Sequence, residues 1–344
     1  MDDVMDCAQI DRSVVDHCIF HFASELEEDT NLLPSKEKMA LSDFVDWVEM
    51  IGQSEGANVC WKAGMKYDYT LRGEIGALIL GSRTLGSALT NLVRFFPLIQ
   101  DQSSLRLERN GRWANLSYKI LDPNIWPRHY DAMYSIAVYA ALIKMVAPET
   151  WPDVELMFEA DARLYNRDLS RIVGVNCSFN CDTNMICFPS RLLDHPMNLA
   201  PQVSNELLKK LNETLVEKKR NTPFYVKVKH MLFDRLGTSD FRQENIARAL
   251  GVSGRTLNRR LVAEGYAFQK LLDQTRMELA HLEFSRYQNQ SIAQLALKLG
   301  YAEHSTFSRA FSRWYGISPQ NFRKKVREEL KNTEKNKSFG LIPA

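Results

Sequence analysis

The chain has 344 residues, of which 45% are hydrophobic, 25% charged and 10% aromatic. That length and composition fit two globular domains and exclude a largely disordered chain, a collagen and a small disulfide scaffold. The net charge of +2 conceals a split, because residues 221–344 hold 21 basic and 11 acidic side chains, a net of +10, while the first 220 carry a net of −8.

The opening MDDVMDCAQIDRSVVDH is too acidic for a signal peptide. The longest apolar stretch, Ile136 to Ala147, is interrupted by Lys144 and too short to span a bilayer. These features predict a cytoplasmic chain with no membrane partner, whose cysteines at 7, 18, 60, 177, 181 and 187 stay reduced. The first thirty residues read as an arm or a short helix. Leu41, Phe44, Val45, Val48 and Ile51 recur at helical spacing within 38–54. Residues 76–81 fit either a helical turn or a strand. A helix is predicted from Thr84 to about Leu98, with Leu85, Ala88, Leu89, Leu92 and Phe95 as its apolar stripe. Two strands flank Asn110-Gly111, a strong hairpin signal. A buried helix over 130–148, a strand over 154–158 and two short apolar runs within 173–189 complete an α+β domain. Residues 1–205 are assigned to that domain and 206–223 to a linker, with a helix over 206–216 and a charged stretch before Pro223. Residues 224–328 then form an all-α domain, and 329–344 a flexible tail.

The all-α domain contains two helix-turn-helix units. In the first, Ile246, Ala247 and Leu250 face inward and Gly251 breaks the helix, as a left-handed turn requires. Ser253 caps the next helix, whose inner residues are Leu257 and Leu261. Arg255, Asn258 and Arg259 remain outside, with side chains that reach guanine edges, adenine edges or phosphates. In the second, Ser291 and Gln294 have capping-box spacing. Ile292, Leu295, Ala296 and Leu299 point inward and Gly300 breaks the helix before Tyr301. The following helix packs through Phe307, Ala310, Phe311 and Trp314. It offers His304, Ser305, Ser308, Arg309 and Arg313 outward, and Ser318-Pro319 opens a last helix. Between the units, 267–286 carries one apolar stripe. A helix of about 18 residues spans roughly 27 Å, close to one DNA turn of about 34 Å.

Taken together, Ile246–Ser253, Arg255–Leu261, the Glu264-Gly265 turn, Ser291–Tyr301 and Ser305–Phe311 with Trp314, Gly316, Pro319 and Arg323 resemble the AraC/XylS family of bacterial transcription regulators. The N-terminal half is similar to the family's companion arabinose-binding domain, through Leu80–Leu89, Pro152–Phe158 and Cys187–Pro196. The resemblance implies a regulator of double-stranded promoter DNA, an activator that touches RNA polymerase and responds to a small-molecule effector. It carries base reading onto Arg255, Asn258 and Arg259, and onto His304, Ser305, Ser308 and Arg309, with the first unit determining more of the specificity. The competing reading is an effector-independent regulator or repressor whose N-terminal domain serves dimerisation or polymerase contact. A homodimer is expected from the general preference for symmetric oligomers.

Other features read as structural. Adjacent Arg259 and Arg260 cannot share one groove, which leaves Arg260 for an intramolecular contact. Arg309 either touches DNA or pairs with Glu303. Cys177, Cys181 and Cys187 do not follow zinc spacing, so neither a metal nor a cofactor is expected. No Gly-x-Gly-x-x-Gly, Walker, His-Glu-x-x-His or Gly-x-Ser-x-Gly pattern occurs, so no catalytic residue is assigned. Aromatics from Phe95 to Tyr139, with Arg128 and His129 among them, place an effector pocket within 90–160 without nominating a contact.

Overall fold

A computed structural model describes residues 8–26, 38–162, 165, 169–197, 199–235, 241–286 and 290–338. Internal contacts divide the chain into two compact units between Asn221 and Thr222. The first unit is α+β and the second is entirely helical, as the sequence pattern predicts.

The first unit begins with β1 (Gln9–Asp11), which runs straight into α1 (Arg12–Leu26) and pairs antiparallel with β2 (Lys38–Ala40). The opening segment is thus a strand and a helix. In α2 (Leu41–Glu55), Leu41, Phe44, Val45, Val48 and Ile51 are all buried, as their spacing requires. A helix not anticipated from the pattern, α3 (Ala57–Met65), packs against a later central helix. Gly64 allows the approach, since a Cβ there would lie 2.5 Å from the Tyr134 carbonyl oxygen. The ambiguous 76–81 stretch is helical and falls in α4 (Gly73–Leu80). Thr84 and Ser87 form a capping box that starts α5 (Leu85–Phe95), and a 3-10 turn extends it to Leu98.

The Asn110-Gly111 hairpin joins β3 (Ser103–Asn110) to β4 (Trp113–Ile120), with Asn110 opposite Trp113. The central helix, α6 (His129–Val146), is buried at every position from Tyr130 to Ile143. It is followed by β5 (Glu155–Met157), α7 (Leu169–Val173), β6 (Asn176–Ser178) and β7 (Asn184–Pro189). The strand order is β3-β4-β7-β5-β6, antiparallel except for the parallel β5/β6 pair. Leu116, Ile186 and Leu156 lie side by side across three strands and are fully buried. Trp113, in contrast, is 43% exposed and stands outside the core.

The stretch expected as a linker is mostly the helix α8 (Asn205–Asn221), whose Leu211 and Leu215 pack on Leu78 and Phe95 of the first unit. The second unit holds α9 (Phe224–Asp234), α10 (Gln243–Ala249), α11 (Gly254–Ala263), α12 (Phe268–Arg286), α13 (Ile292–Lys298), α14 (His304–Tyr315) and α15 (Pro319–Ser338). The backbone of α15 is helical to Ser338, so the helix runs on into the stretch assigned to the tail. Residues 339–344 lie outside the described residues.

The first unit buries two carboxyl groups at the start of α6. Glu49 Oε1 accepts hydrogen bonds from the backbone N–H groups of Tyr130 (2.6 Å) and Asp131 (3.1 Å). Burial pushes Glu49 up to about 8 and Asp131 up to about 7. Unfolded, both ionise near pH 4, so between about pH 4 and 8 the native state binds more protons and stability falls as pH rises. The urea midpoint of this unit is therefore expected to decline from pH 5 to pH 8, with a shallower slope in Glu49→Gln. An equal slope in the two proteins would contradict the assignment.

Candidate nucleic-acid interface

The first helix-turn-helix unit is α10 and α11. Gly251 has φ +66°, and just beyond it the Val252 N–H donates to the Ala247 carbonyl at 2.9 Å. This bond closes the helix end and turns the chain sharply. Ser253 then caps α11, its Oγ accepting from the Thr256 N–H at 3.1 Å. Ile246, Ala247, Leu257 and Leu261 are buried together, which fixes the rotation of α11 about its axis. That rotation leaves Arg255, Asn258 and Arg259 exposed, with no partner among the described residues. At about 100° per residue, Val262 falls on the same face, and it is 69% exposed. Sequence reasoning passed over Val262, since an apolar residue in a helix reads as core.

Neighbouring side chains serve the fold. The Arg260 guanidinium lies 5.2 Å from the centre of the Phe224 ring, the intramolecular role expected for it. The Glu264 carboxylate accepts from the Phe224 and Tyr225 N–H groups at 2.8 and 2.7 Å. It thereby satisfies orphan donors at the start of α9, where negative charge is also favoured by the helix dipole.

The second unit, α13 and α14, repeats the turn. The Ser291–Gln294 capping box is formed. Gly300 has φ +77°, and the Tyr301 N–H donates to the Ala296 carbonyl at 2.9 Å, the counterpart of the Val252 bond. Phe307 and Phe311 are buried. His304, Arg309 and Arg313 are exposed, whereas Ser305 and Ser308 are half-buried. Ser305 donates to Glu303 at 3.1 Å, and Arg309 donates to Thr306 Oγ1 at 3.3 Å rather than pairing with Glu303. The expected packing role of Trp314 falls instead to Tyr315. Phe307, Phe311 and Tyr315 recur every four residues on one face; Tyr315 and Trp314 are similarly exposed, at 36% and 41%, and it is the contacts of Tyr315 that separate them. The Tyr315 hydroxyl donates to the Met277 carbonyl at 3.1 Å, and its ring centre lies 4.6 Å from that of Phe311.

The two units share α12, whose 19 residues span about 28 Å. Phe268, Leu271 and Leu272 near its start belong to the core of the first unit. Phe284 near its end packs edge-on against Phe311 and tilted against Phe322, at 5.6 and 5.7 Å. Between them, Arg276 donates through Nε to the Leu299 carbonyl at 2.9 Å and through Nη2 to the Gly300 carbonyl at 3.3 Å. Its guanidinium centre lies 5.7 Å from the Phe241 ring and 4.7 Å from the Tyr301 ring. Phe241 belongs to the first core and Tyr301 to the second turn, so one cation ties both. A Cβ at Gly300 would come within 2.7 Å of Phe241, so the close approach needs glycine.

In the first unit, Arg128 does not present charge to a pocket. It is 2% exposed, pairs with Glu159 at 3.2 Å and donates to the Ile120 carbonyl at 2.8 Å. Cys18 and Cys60 are buried and Cys177, Cys181 and Cys187 are half-buried; burial raises all five thiols, which disfavours reactive thiolate. Cys7 lies outside the described residues.

Comparison with known proteins adds to this geometry. Residues 25–197 match the family described as "Arabinose-binding domain of AraC transcription regulator, N-term", and residues 246–325 match "Helix-turn-helix domain". The chain is similar to the ornithine utilization regulator of Pseudomonas aeruginosa, with 26% identity over 76% of each protein. It is also similar to the urease operon transcriptional activator of Escherichia coli, with 33% identity over 25% of this chain and 28% of that protein. Among solved structures, the transcriptional regulator CdpR from Pseudomonas aeruginosa aligns over 90% of this chain and 98% of its own, at 19% identity and a TM-score of 0.41. In the helical unit, Arg276→Met retains most of the side-chain volume but strands the two carbonyls. It is expected to destabilise that unit by about 1–3 kcal/mol in urea titrations. An unchanged unfolding midpoint would remove Arg276 from its proposed place.

Proposed function

The chain belongs to the AraC family of helix-turn-helix transcription regulators, and we propose that it reads double-stranded promoter DNA by laying α11 and α14 into successive major grooves. The observation that carries this reading is the outer face of α11. Three long polar side chains, Arg255, Asn258 and Arg259, stand exposed there without partners among the described residues, on a helix whose opposite face is locked by Leu257 and Leu261. Their chemistry suits guanine for the arginines and adenine for the asparagine, and Val262 offers an apolar surface to a thymine methyl.

On α14, His304, Ser305, Ser308, Arg309 and Arg313 are the contact set. Ser305 and Arg309 are already held by local bonds, which suits phosphate positioning better than base discrimination. This division puts most specificity in the first unit. The basic residues of 221–344 supply the non-specific, salt-dependent part of the affinity. A small effector bound in the N-terminal unit would bias the population of the DNA-competent state. Activation, as opposed to repression, is supported by the name of the Escherichia coli relative, a transcriptional activator of its operon.

Selection of genomic fragments by the purified full-length protein tests this directly. The expected outcome is a shared motif with two blocks about ten base pairs apart. Arg259→Ala should then weaken binding to the selected site by about 1–3 kcal/mol and leave random DNA nearly unaffected. Equal loss on both DNAs would reassign Arg259 to a phosphate, and the absence of any shared motif would overturn the reading.

A further inference from the structure

We propose that β3 is an interaction edge, along which two copies of this chain pair antiparallel about a two-fold axis at Leu107. The pairing joins two five-stranded sheets into one.

β3 is an outer strand of its sheet and runs for eight residues, whereas β6 at the opposite edge has three. An outer strand presents a row of backbone N–H and C=O groups ready to pair with another chain. In an antiparallel ladder, alternate residues turn both groups toward the same neighbour. The Ser190 N–H donates to the Arg112 carbonyl at 2.8 Å, which turns Arg112, Ala114, Leu116 and Tyr118 toward β7. Asn115 and Ser117 therefore bond to β3, through Glu108 and Arg106 opposite them. Leu105, Leu107 and Arg109 are left with backbone groups directed off the sheet. Among the described residues, no backbone or side-chain group bonds to them there.

The side chains of β3 make the strand complementary to itself. Leu105 is buried and Leu107 half-buried against the core of the first unit, while Arg106 and Glu108 are exposed on the other face of the sheet. Pairing about Leu107 sets Leu107 opposite itself, Leu105 opposite Arg109 of the second copy, and Arg106 opposite Glu108 of the second copy. Symmetry repeats the last two pairs. The three pairs that involve Leu105, Leu107 and Arg109 each exchange two backbone bonds, about six in all. The Arg106–Glu108 pairs fall at positions without backbone bonds, where Cα atoms stand only about 4.5 Å apart and opposite charges interact best.

Other registers are penalised. Centring the axis on Arg106, Glu108 or Arg109 puts like charges face to face. Centring it on Leu105 sets Arg106 against Ser104 and loses the charge pairing. A shift of one residue on one copy alone would oppose outward backbone groups to inward ones. The charges thus guard the edge against indiscriminate pairing and leave one register open. They also identify the occupant. A foreign strand would need the order Glu-Leu-Arg to run against Arg-Leu-Glu, and a second copy of this chain, turned antiparallel, supplies it.

The test is sedimentation of the full-length protein. A single strand pair lies at the small end of specific interfaces, so association is measured over roughly 1–100 µM. Dimer is expected to form within that range. Glu108→Arg and Arg106→Glu should each weaken it about tenfold or more, since each turns both charge pairs repulsive. An equal mixture of these two variants should recover the dimer, because their charges complement one another. Arg109→Pro should also weaken it by removing an outward N–H that β4 does not use. Amide exchange in peptides spanning 103–110 should slow as protein concentration rises. A protein that stays monomeric throughout overturns the proposal. So does a dimer that Glu108→Arg leaves unchanged, or a mixture that associates no better than its components.

Discussion

The helical unit depends on one constraint, which is that α12 belongs to two cores at once. Its first turns are buried with the first helix-turn-helix, and its last turns with the second. Without a lock in the middle, such a rod would let either end rock independently. Arg276 supplies that lock. Its charge is permanent, its donors are fixed in a plane, and it grips two carbonyls of the second turn while lying between rings from both units. The rotation and spacing of α11 and α14 follow from this arrangement. The exposed arginines then act as tools mounted on a rigid frame.

Besides Arg276, arginines of this chain occupy several different environments, and their partners decide which role each takes. Arg128 is sealed against Glu159 and a carbonyl, so it stabilises the first unit and offers nothing to solvent. Arg72 is equally buried but opens onto a cavity. Arg260 spends its charge on the face of Phe224. Arg255 and Arg259, one turn apart on α11, remain in water. A count of basic residues therefore overstates the surface available to a polyanion, because Arg128 and Arg72 are buried.

Much of this was legible in the chain because it depends on local rules. Gly251 and Gly300 announce left-handed turns, Ser291 and Gln294 announce a helix start, and Asn110-Gly111 announces a hairpin. Each of these signals is complete within a few residues. What could not be read depends on partners distant in sequence. Helix α3 has no clean stripe, since small residues such as Gly64 serve a close helix contact rather than an amphipathic pattern. The helix over 206–216 is legible in its spacing, but its packing is not, because Leu211 and Leu215 meet Leu78 and Phe95 far away in sequence. The partner of Arg128 is not legible locally, because Glu159 lies thirty-one positions away. Glu264 and Arg276 carry no local signature, although their removal would loosen a helix start and a turn. Tyr315, four residues beyond Phe311, shares its face, a spacing that the assignment of Trp314 to the packing set passed over.

The central claim is that α12 holds two reading helices at a fixed separation. It is tested most directly by varying the DNA. Once the bound site is defined, its two blocks can be moved apart by inserting five or ten base pairs, and the affinity of the full-length protein measured at constant salt. A rigid frame predicts that both insertions reduce binding by about a hundredfold or more, towards that of a non-specific sequence. Retention of affinity with the ten-base-pair insertion would show that the two units move independently and would contradict the account.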